Sequence, residues 1–308
     1  MNTAGPAEKK VNTMEKRFLL GVGCQKGGTT WLHDYISQHP NGDFGFQKEY
    51  HIFDVLFTDS GDSVLERRRT RALEELQNRD SLINSPNGFK VFKLFDFYSN
   101  IDSYFDYFWT LANRNPDVHL TGDITPAYAG LSTETFAMIR AKLVERDLVP
   151  RVVFLMRDPV ERCISMFRMR MRITRGAIDW NEEEEKEAVR ASYTKDTCVR
   201  RTQYDQTMIS LEQVFKPEEI FYGFYEELFE EKTIRDLTGF LGVEYRAPDF
   251  KKQVNVSRTE HELGEEIRRE IFDFYRDTYD FIGGRFGADR VKRLWKSYRH
   301  FDGLQAAE

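Results

Sequence analysis

The chain is poor in cysteine: Cys24, Cys163 and Cys198 are the only three among 308 residues. An odd count at wide spacing leaves no CxxC or Cys/His metal pattern and no disulfide framework. It fits reduced thiols in a cytoplasmic protein. The chain also has no excess of positive charge. Forty-five Lys and Arg against 51 Asp and Glu give a net charge of -6. That speaks against a nucleic-acid partner and against a surface given over to a long polyanion, although local basic patches are unaffected. No run approaches the ~20 apolar residues that span a bilayer. The polar segment Met1 to Arg17 lacks the apolar centre of a signal peptide. Residues 1–16 read as a disordered tail, and residues 17–308 as a single domain without repeats or linkers.

What is present is the material of a core. Forty per cent of residues are apolar and 14% aromatic, with 25 Phe. Four short apolar runs read as buried strands: Phe18 to Gly23, His119 to Gly122, Arg151 to Met156 and Glu219 to Phe224. Helical patterning lies between them at Thr29 to Gln38, Thr133 to Glu145, Pro159 to Arg172 and Thr202 to Phe215. Alternating strands and helices predict an α/β fold, a three-layer parallel sheet with helices on both faces. Ser63 to Gln77 reads as an exposed helix. Asn181 to Glu187 reads as a solvated helix start or lid. Glu260 to Trp295 reads as an amphipathic helical C-terminal third.

The strongest local signal is Phe18 to Pro40. A strand enters a Gly-rich turn, which enters a helix opening on Thr29 and Thr30. Free backbone N–H groups at a helix start, together with the helix dipole, make an anion site. Gly27 and Gly28 permit close backbone approach, and Lys26 adds a point charge. Gly23 and Gly28 have the spacing of a nucleotide triphosphate loop. The residue after Gly28 is Thr29, however, and the lysine sits inside the loop. K-G-G-T-T-W, from Lys26 to Trp31, resembles the 5'-phosphosulfate loop of sulfotransferases that use 3'-phosphoadenosine 5'-phosphosulfate (PAPS). The resemblance implies a P-loop-containing NTPase-like fold. It implies donor contacts from Lys26, Gly27, Gly28, Thr29 and Thr30, with Lys26 also catalytic.

A second signature follows the third strand. The strand ends at Arg157-Asp158-Pro159, with Arg157 at the strand edge where open α/β sheets bind ligands. Pro159 suits a first helical turn. Ser165 lies about two turns on and can face the same cleft. This resembles the family's 3'-phosphate motif, which implies that Arg157 and Ser165 grip the 3'-phosphate. Asn255 to Arg258 falls where the family has a loop closing over the nucleotide, so Arg258 is a further donor contact by resemblance. Tyr204 to Met208 and Tyr225 to Leu228 also resemble family patterns.

Gln47 to Asp54, QKEYHIFD, is similar to the segment that carries the catalytic glutamate in the glycan-modifying, heparan-sulfate-type branch. Glu49 matches that glutamate, Lys48 its neighbour and His51 the following histidine. The chemistry wants a base within reach of the acceptor hydroxyl. Glu49 is expected as that base, with His51 as orienter or substitute base and Lys48 on the substrate side. Gly122 to Tyr128, GDITPAY, resembles another segment of that branch, in which Ile124 replaces the usual lysine. Asp123, Thr125 and Tyr128 are expected to touch the acceptor. The four arginines at 168, 170, 172 and 175 are spaced by two or three and cannot all share one helix face; they read as a partly solvated helix end.

The expectation is therefore a sulfotransferase moving a sulfuryl group from PAPS to a hydroxyl or amine, with adenosine 3',5'-bisphosphate (PAP) as co-product. No metal is required, since lysine, arginine and backbone donors stabilise a group of about one negative charge. The expected acceptor is a small molecule, lipid or sugar, with no nucleic-acid partner. A P-loop kinase acting on a small molecule is one alternative; it would bind ATP with magnesium. A nucleotide-binding module without catalysis is another.

Overall fold

The computed structural model describes residues 14–58, 86–175, 182–250 and 263–303, together with 66, 67, 70 and 74. Five strands form one sheet: β1 (Arg17–Gly23), β2 (Gly42–Asp43), β3 (Leu120–Ile124), β4 (Val149–Met156) and β5 (Ile220–Phe224). Their order is β2-β3-β1-β4-β5, and every pairing is parallel. The four predicted strands are these, shifted by a residue or two at their ends. β2 escaped notice because two residues carry no alternation to read.

The helices, in chain order, are α1 (Thr29–Ser37), α2 (Phe53–Leu56), α3 (Pro86–Ser99), α4 (Ile101–Asn113), α5 (Thr133–Val144), α6 (Pro159–Arg175) and α7 (Glu182–Tyr193). They continue as α8 (Asp196–Val199), α9 (Tyr204–Glu212), α10 (Glu231–Leu241), α11 (Glu265–Phe274), α12 (Arg276–Phe286), α13 (Ala288–Leu294) and α14 (Lys296–Asp302). The helical C-terminal third is thus four helices, broken at Tyr275, Gly287 and Trp295.

Side-chain alternation divides the core into the layers expected of such a sheet. On β1, Phe18, Leu20 and Val22 point to one face and Leu19 to the other. On β4, Val152, Phe154 and Met156 share the first face, while Val153 and Leu155 take the second. The first face packs on α4 through Tyr104, Phe105 and Phe108, on α5 through Phe136 and Ile139, and on the C-terminal helices. The second face packs on α1 through Leu32 and Ile36 and on α10 through Ile234, Leu237 and Leu241. Each fully buried aliphatic or Phe side chain contributes about 1.5–3 kcal/mol.

α6 begins at a cap that the sequence spells out. Asp158 Oδ1 accepts from the backbone N–H of Val160 at 3.1 Å, and Pro159 occupies the first helical position. The same buried carboxylate accepts from the Tyr279 hydroxyl at 2.5 Å and from the Ser297 backbone at 2.9 Å. The C-terminal helices are thereby tied to the strand end that carries Arg157.

Of the expected tail, residues 1–13 lie outside the described residues. Lys16 does not behave as tail: its carbonyl accepts from Val149 N at 2.8 Å and its ammonium donates to Val118 O at 2.5 Å. Arg258 and most of Ser63 to Gln77 also lie outside the described residues. Among the described residues, no helix is long and apolar enough to cross a membrane.

Candidate active site

The site begins at the loop between β1 and α1. Lys26 adopts φ 72° and Gly28 φ 87°. A side chain at Gly28 is excluded twice over, by that dihedral and by Leu228, whose Cδ2 lies 2.4 Å from where a Cβ would stand. Lys26 carries no such exemption, so its left-handed backbone is strain held by the surrounding loop. The turn delivers the first N–H groups of α1 to the same place as the Lys26 side chain. Burial lowers the pKa of that ammonium, and the charges of Arg172, Arg157 and Lys48 lower it further. Lys26, Arg157, Arg172 and Lys48 thus concentrate positive charge around this loop, with Glu49 paired to Lys48.

Arg157 stands at the C-terminal end of β4. Its Nη1 donates to Lys26 O at 3.0 Å and its guanidinium lies 4.6 Å over the Tyr225 ring. Its buried Nε has no hydrogen-bond partner among the described residues. A buried donor left unpaired costs about 1–3 kcal/mol, so a ligand oxygen at this point would be stabilising. Ser165 lies on α6 and lines the same cleft, as do Lys26, Gly28, Thr29 and Thr30. Gly27 is buried beside them, where a Cβ would meet Cys24 Sγ at 2.8 Å. The cleft has a volume of about 770 Å³.

Glu49 lines this cleft from the other side. Lys48 joins it to the phosphate loop: Nζ donates to Thr30 Oγ1 at 2.6 Å and to Glu49 Oε1 at 2.6 Å. His51 Nε2 lies 3.3 Å from Glu49 Oε2, and its Nδ1 lies 2.8 Å from Asp54 Oδ2. Burial alone would lower the His51 pKa, but hydrogen bonds to Asp54 and Glu49 outweigh it and raise the value to about 9. Burial would likewise raise Glu49, yet His51 and Lys48 hold it down at about 2. At neutral pH this is a carboxylate between two cations, with the imidazole already protonated. An imidazolium donates from both ring nitrogens, here to Glu49 and to Asp54.

Asp123, Thr125 and Tyr128, expected as acceptor contacts, lie instead beneath the cleft. All three are 0% exposed. Asp123 accepts from Thr125 at 2.6 Å, Tyr128 at 2.7 Å and Tyr104 at 3.0 Å. Burial raises its pKa to about 6, with those hydrogen bonds opposing. Three successive backbone N–H groups of the glutamate segment end here: Tyr50 on Asp123 at 3.4 Å, His51 on Thr125 at 3.5 Å and Ile52 on Tyr128 at 3.1 Å. The motif shapes the loop that presents Glu49, because its polar atoms are already spent inward.

Sequence reasoning passed over several wall residues. Trp31, Tyr225, Phe229 and Phe250 line the cleft. Trp31 stacks on Tyr35 at 5.5 Å and on Phe250 at 6.2 Å, with Phe229 edge-on at 5.4 Å. Trp31 itself is buried, and the more exposed rings of this cluster are Phe229 and Phe250.

A profile described as the sulfotransferase family matches residues 19–247. No curated protein sequence shows a significant match. Among solved structures, a sulfotransferase from Alicyclobacillus acidocaldarius is 20% identical, covering 92% of this chain and 99% of that one with a TM-score of 0.55. The sulfotransferase domain from the curacin biosynthetic pathway is 16% identical over 85% of this chain and 98% of its own, with a TM-score of 0.46. A sulfotransferase from Mycobacterium avium is 16% identical over 86% and 77%, with a TM-score of 0.43. The first of these shares the fold, a P-loop NTPase-like α/β sheet.

Proposed function

Since the chain belongs to the sulfotransferase family, we propose that it transfers a sulfuryl group from PAPS to a hydroxyl or amine of a small-molecule, lipid or sugar acceptor. The observation that carries this reading is one cleft lined at once by the Lys26–Thr30 loop, by Arg157 with Ser165, and by Glu49. The residues fit the donor. The N-terminus of α1 and Lys26 suit the 5'-phosphosulfate. Arg157, with its unpaired Nε, and Ser165 suit a second phosphate. The exposed Phe229 and Phe250 on the cleft wall suit adenine.

PAPS supplies a sulfuryl group on a good leaving phosphate, and PAP is released. The chain's own residues do the rest. Glu49 takes the proton from the acceptor oxygen or nitrogen as the new bond to sulfur forms. His51, held by Asp54, aims Glu49. Lys48 keeps the base in register with Thr30 on the phosphate loop, so that donor and acceptor meet at fixed separation. Lys26 stabilises charge arriving on the leaving phosphate. The likeness to the heparan-sulfate-type branch supports the assignment of Glu49. It does not extend to a polyanionic acceptor, because Ile124 is fully buried where that branch has a lysine.

Titration with PAP by calorimetry tests the donor site, with ATP alongside, both with and without magnesium. Tight, magnesium-independent PAP binding that weakens at least tenfold in Arg157→Ala is expected. Binding of ATP alone, dependent on magnesium, would replace the reading with a kinase. Glu49→Gln is expected to keep PAP affinity and to lower turnover by ~10²–10⁴-fold; unchanged turnover removes Glu49 as base.

A further inference from the structure

The arginine-rich end of α6, read from the sequence as partly solvated, sends its arginines in different directions. Arg168 turns inward, where its Nε donates to the buried Glu185 of α7 at 2.8 Å. Arg172 does the opposite and lines the active-site cleft, on the same helix face as Ser165 and Met169. The spacing explains this. Positions i, i+4 and i+7 fall within about 60° of one another around a helix, so Ser165, Met169 and Arg172 form one stripe along the cleft wall.

That stripe has a direction and a length. Ser165 to Arg172 spans seven residues, roughly 10 Å along the axis. In the proposed binding mode Ser165 holds the 3'-phosphate. A nucleotide lying along α6 from Ser165 then brings its 5' end to Arg172. Independent of that placement, Arg172 exerts the strongest opposing charge on Lys26, ahead of Arg157 and Lys48. Lys26 and Arg172 line the same cleft. No hydrogen bond or ion pair engages the Arg172 side chain among the described residues, in contrast to Arg168. Arg172 is solvent-exposed, so its guanidinium is accessible to an anion entering the cleft.

We propose that Arg172 is a further catalytic residue, donating from α6 to the oxygens of the sulfuryl group while Lys26 serves the leaving phosphate from the loop. The inference rests on the sulfuryl-transfer reading. In transfer, the bond between sulfur and the bridging oxygen breaks as the acceptor oxygen bonds to sulfur. The acceptor proton goes to Glu49, and the electron pair goes to the phosphate of PAP. Charge on the three non-bridging sulfuryl oxygens persists throughout, and a planar fork of donors suits them better than a point charge.

PAP lacks the sulfuryl group and PAPS carries it, so the two separate this role from general donor binding. Calorimetric Kd values for both would be measured on the full chain, in wild type, Arg172→Ala and Arg172→Lys. The expected result is PAPS affinity lost about ten- to hundredfold in Arg172→Ala, with PAP affinity within about threefold of wild type and partial recovery of PAPS in Arg172→Lys. Equal loss for both ligands would make Arg172 a nucleotide-phosphate contact and overturn the proposal. No loss for either would also overturn it. Wild-type protein that binds neither ligand would instead refute the sulfuryl-transfer reading beneath it.

Discussion

Arg162 offers the sharpest test of how this fold tolerates buried charge. It sits on α6 five residues past Arg157 and is 0% exposed. Its Nη2 donates to Cys198 Sγ at 2.7 Å and more distantly to the Cys198 carbonyl at 3.4 Å and Cys163 Sγ at 3.5 Å. Nε and Nη1 have no partner among the described residues. A buried guanidinium needs a counter-charge, and the thiol of Cys198 is the group placed to supply it. The hydrogen bond with Cys163 acts first, and the charge of Arg162 adds to it. Against burial, they bring the Cys198 pKa from 9.0 down to about 5. Burial pushes Cys163 the other way, so Cys198 is the sulfur of the pair that gives up its proton more readily.

Cys198→Ala removes the anion and leaves the cation buried, at a cost of roughly 3–5 kcal/mol. At a few degrees per kcal/mol for a chain of this size, the melting temperature should fall by roughly 5–15 °C. Replacing both partners, as in Arg162→Met with Cys198→Ala, should cost less than Cys198→Ala alone. The pH dependence has a definite sign. The folded pKa lies below the unfolded one, so the unfolded chain carries the extra proton between about pH 5 and 9. Stability from this pair is fully present above pH 9, declines as pH falls through that window and is gone below about 5. Urea unfolding of wild type and Cys198→Ala across that range gives the difference directly. A melting temperature within 2 °C of wild type, or a stability gap that does not change with pH, would refute the thiolate assignment.

Two other expectations follow from the glutamate segment. His51 is protonated until about pH 9, so kcat/KM should fall on the alkaline side with an apparent pKa near 9. Asp54→Asn should move that limb to lower pH; a limb that stays put would mean another group controls it. Tyr128→Phe removes a donor to Asp123 and the acceptor for Ile52 N–H. It should lower stability by about 1–3 kcal/mol and reduce kcat while PAP affinity holds; a kcat equal to wild type would show that the buried network does not position Glu49.

Much of this was legible in the amino-acid order. β1, β3, β4 and β5 announced themselves because buried parallel strands are short apolar runs bounded by turns. The loop between β1 and α1 was legible because left-handed backbone restricts residue choice: Gly28 with its Leu228 contact is such a position. Asp158-Pro159 marked the start of α6 for the same local reason. Other features could not be read at all. GDITPAY names an acid, a hydroxyl and a phenol without saying whether they point into the cleft or under it, and the structure turns them under. Arg162 and Cys198 are 36 residues apart, and nothing in their spacing pairs them.

The sequence by itself determined the alternation of strand and helix, the Gly-rich loop between β1 and α1, and the Asp158-Pro159 start of α6. Each depends on local backbone rules and short-range spacing. Only the tertiary structure decided which side chains share a cavity: that Lys48 bridges Thr30 and Glu49, that His51 is held as a cation, and that Arg172 rather than Arg168 faces the cleft. Those outcomes depend on helix phase and on neighbours distant in the chain, where burial and charge act through space.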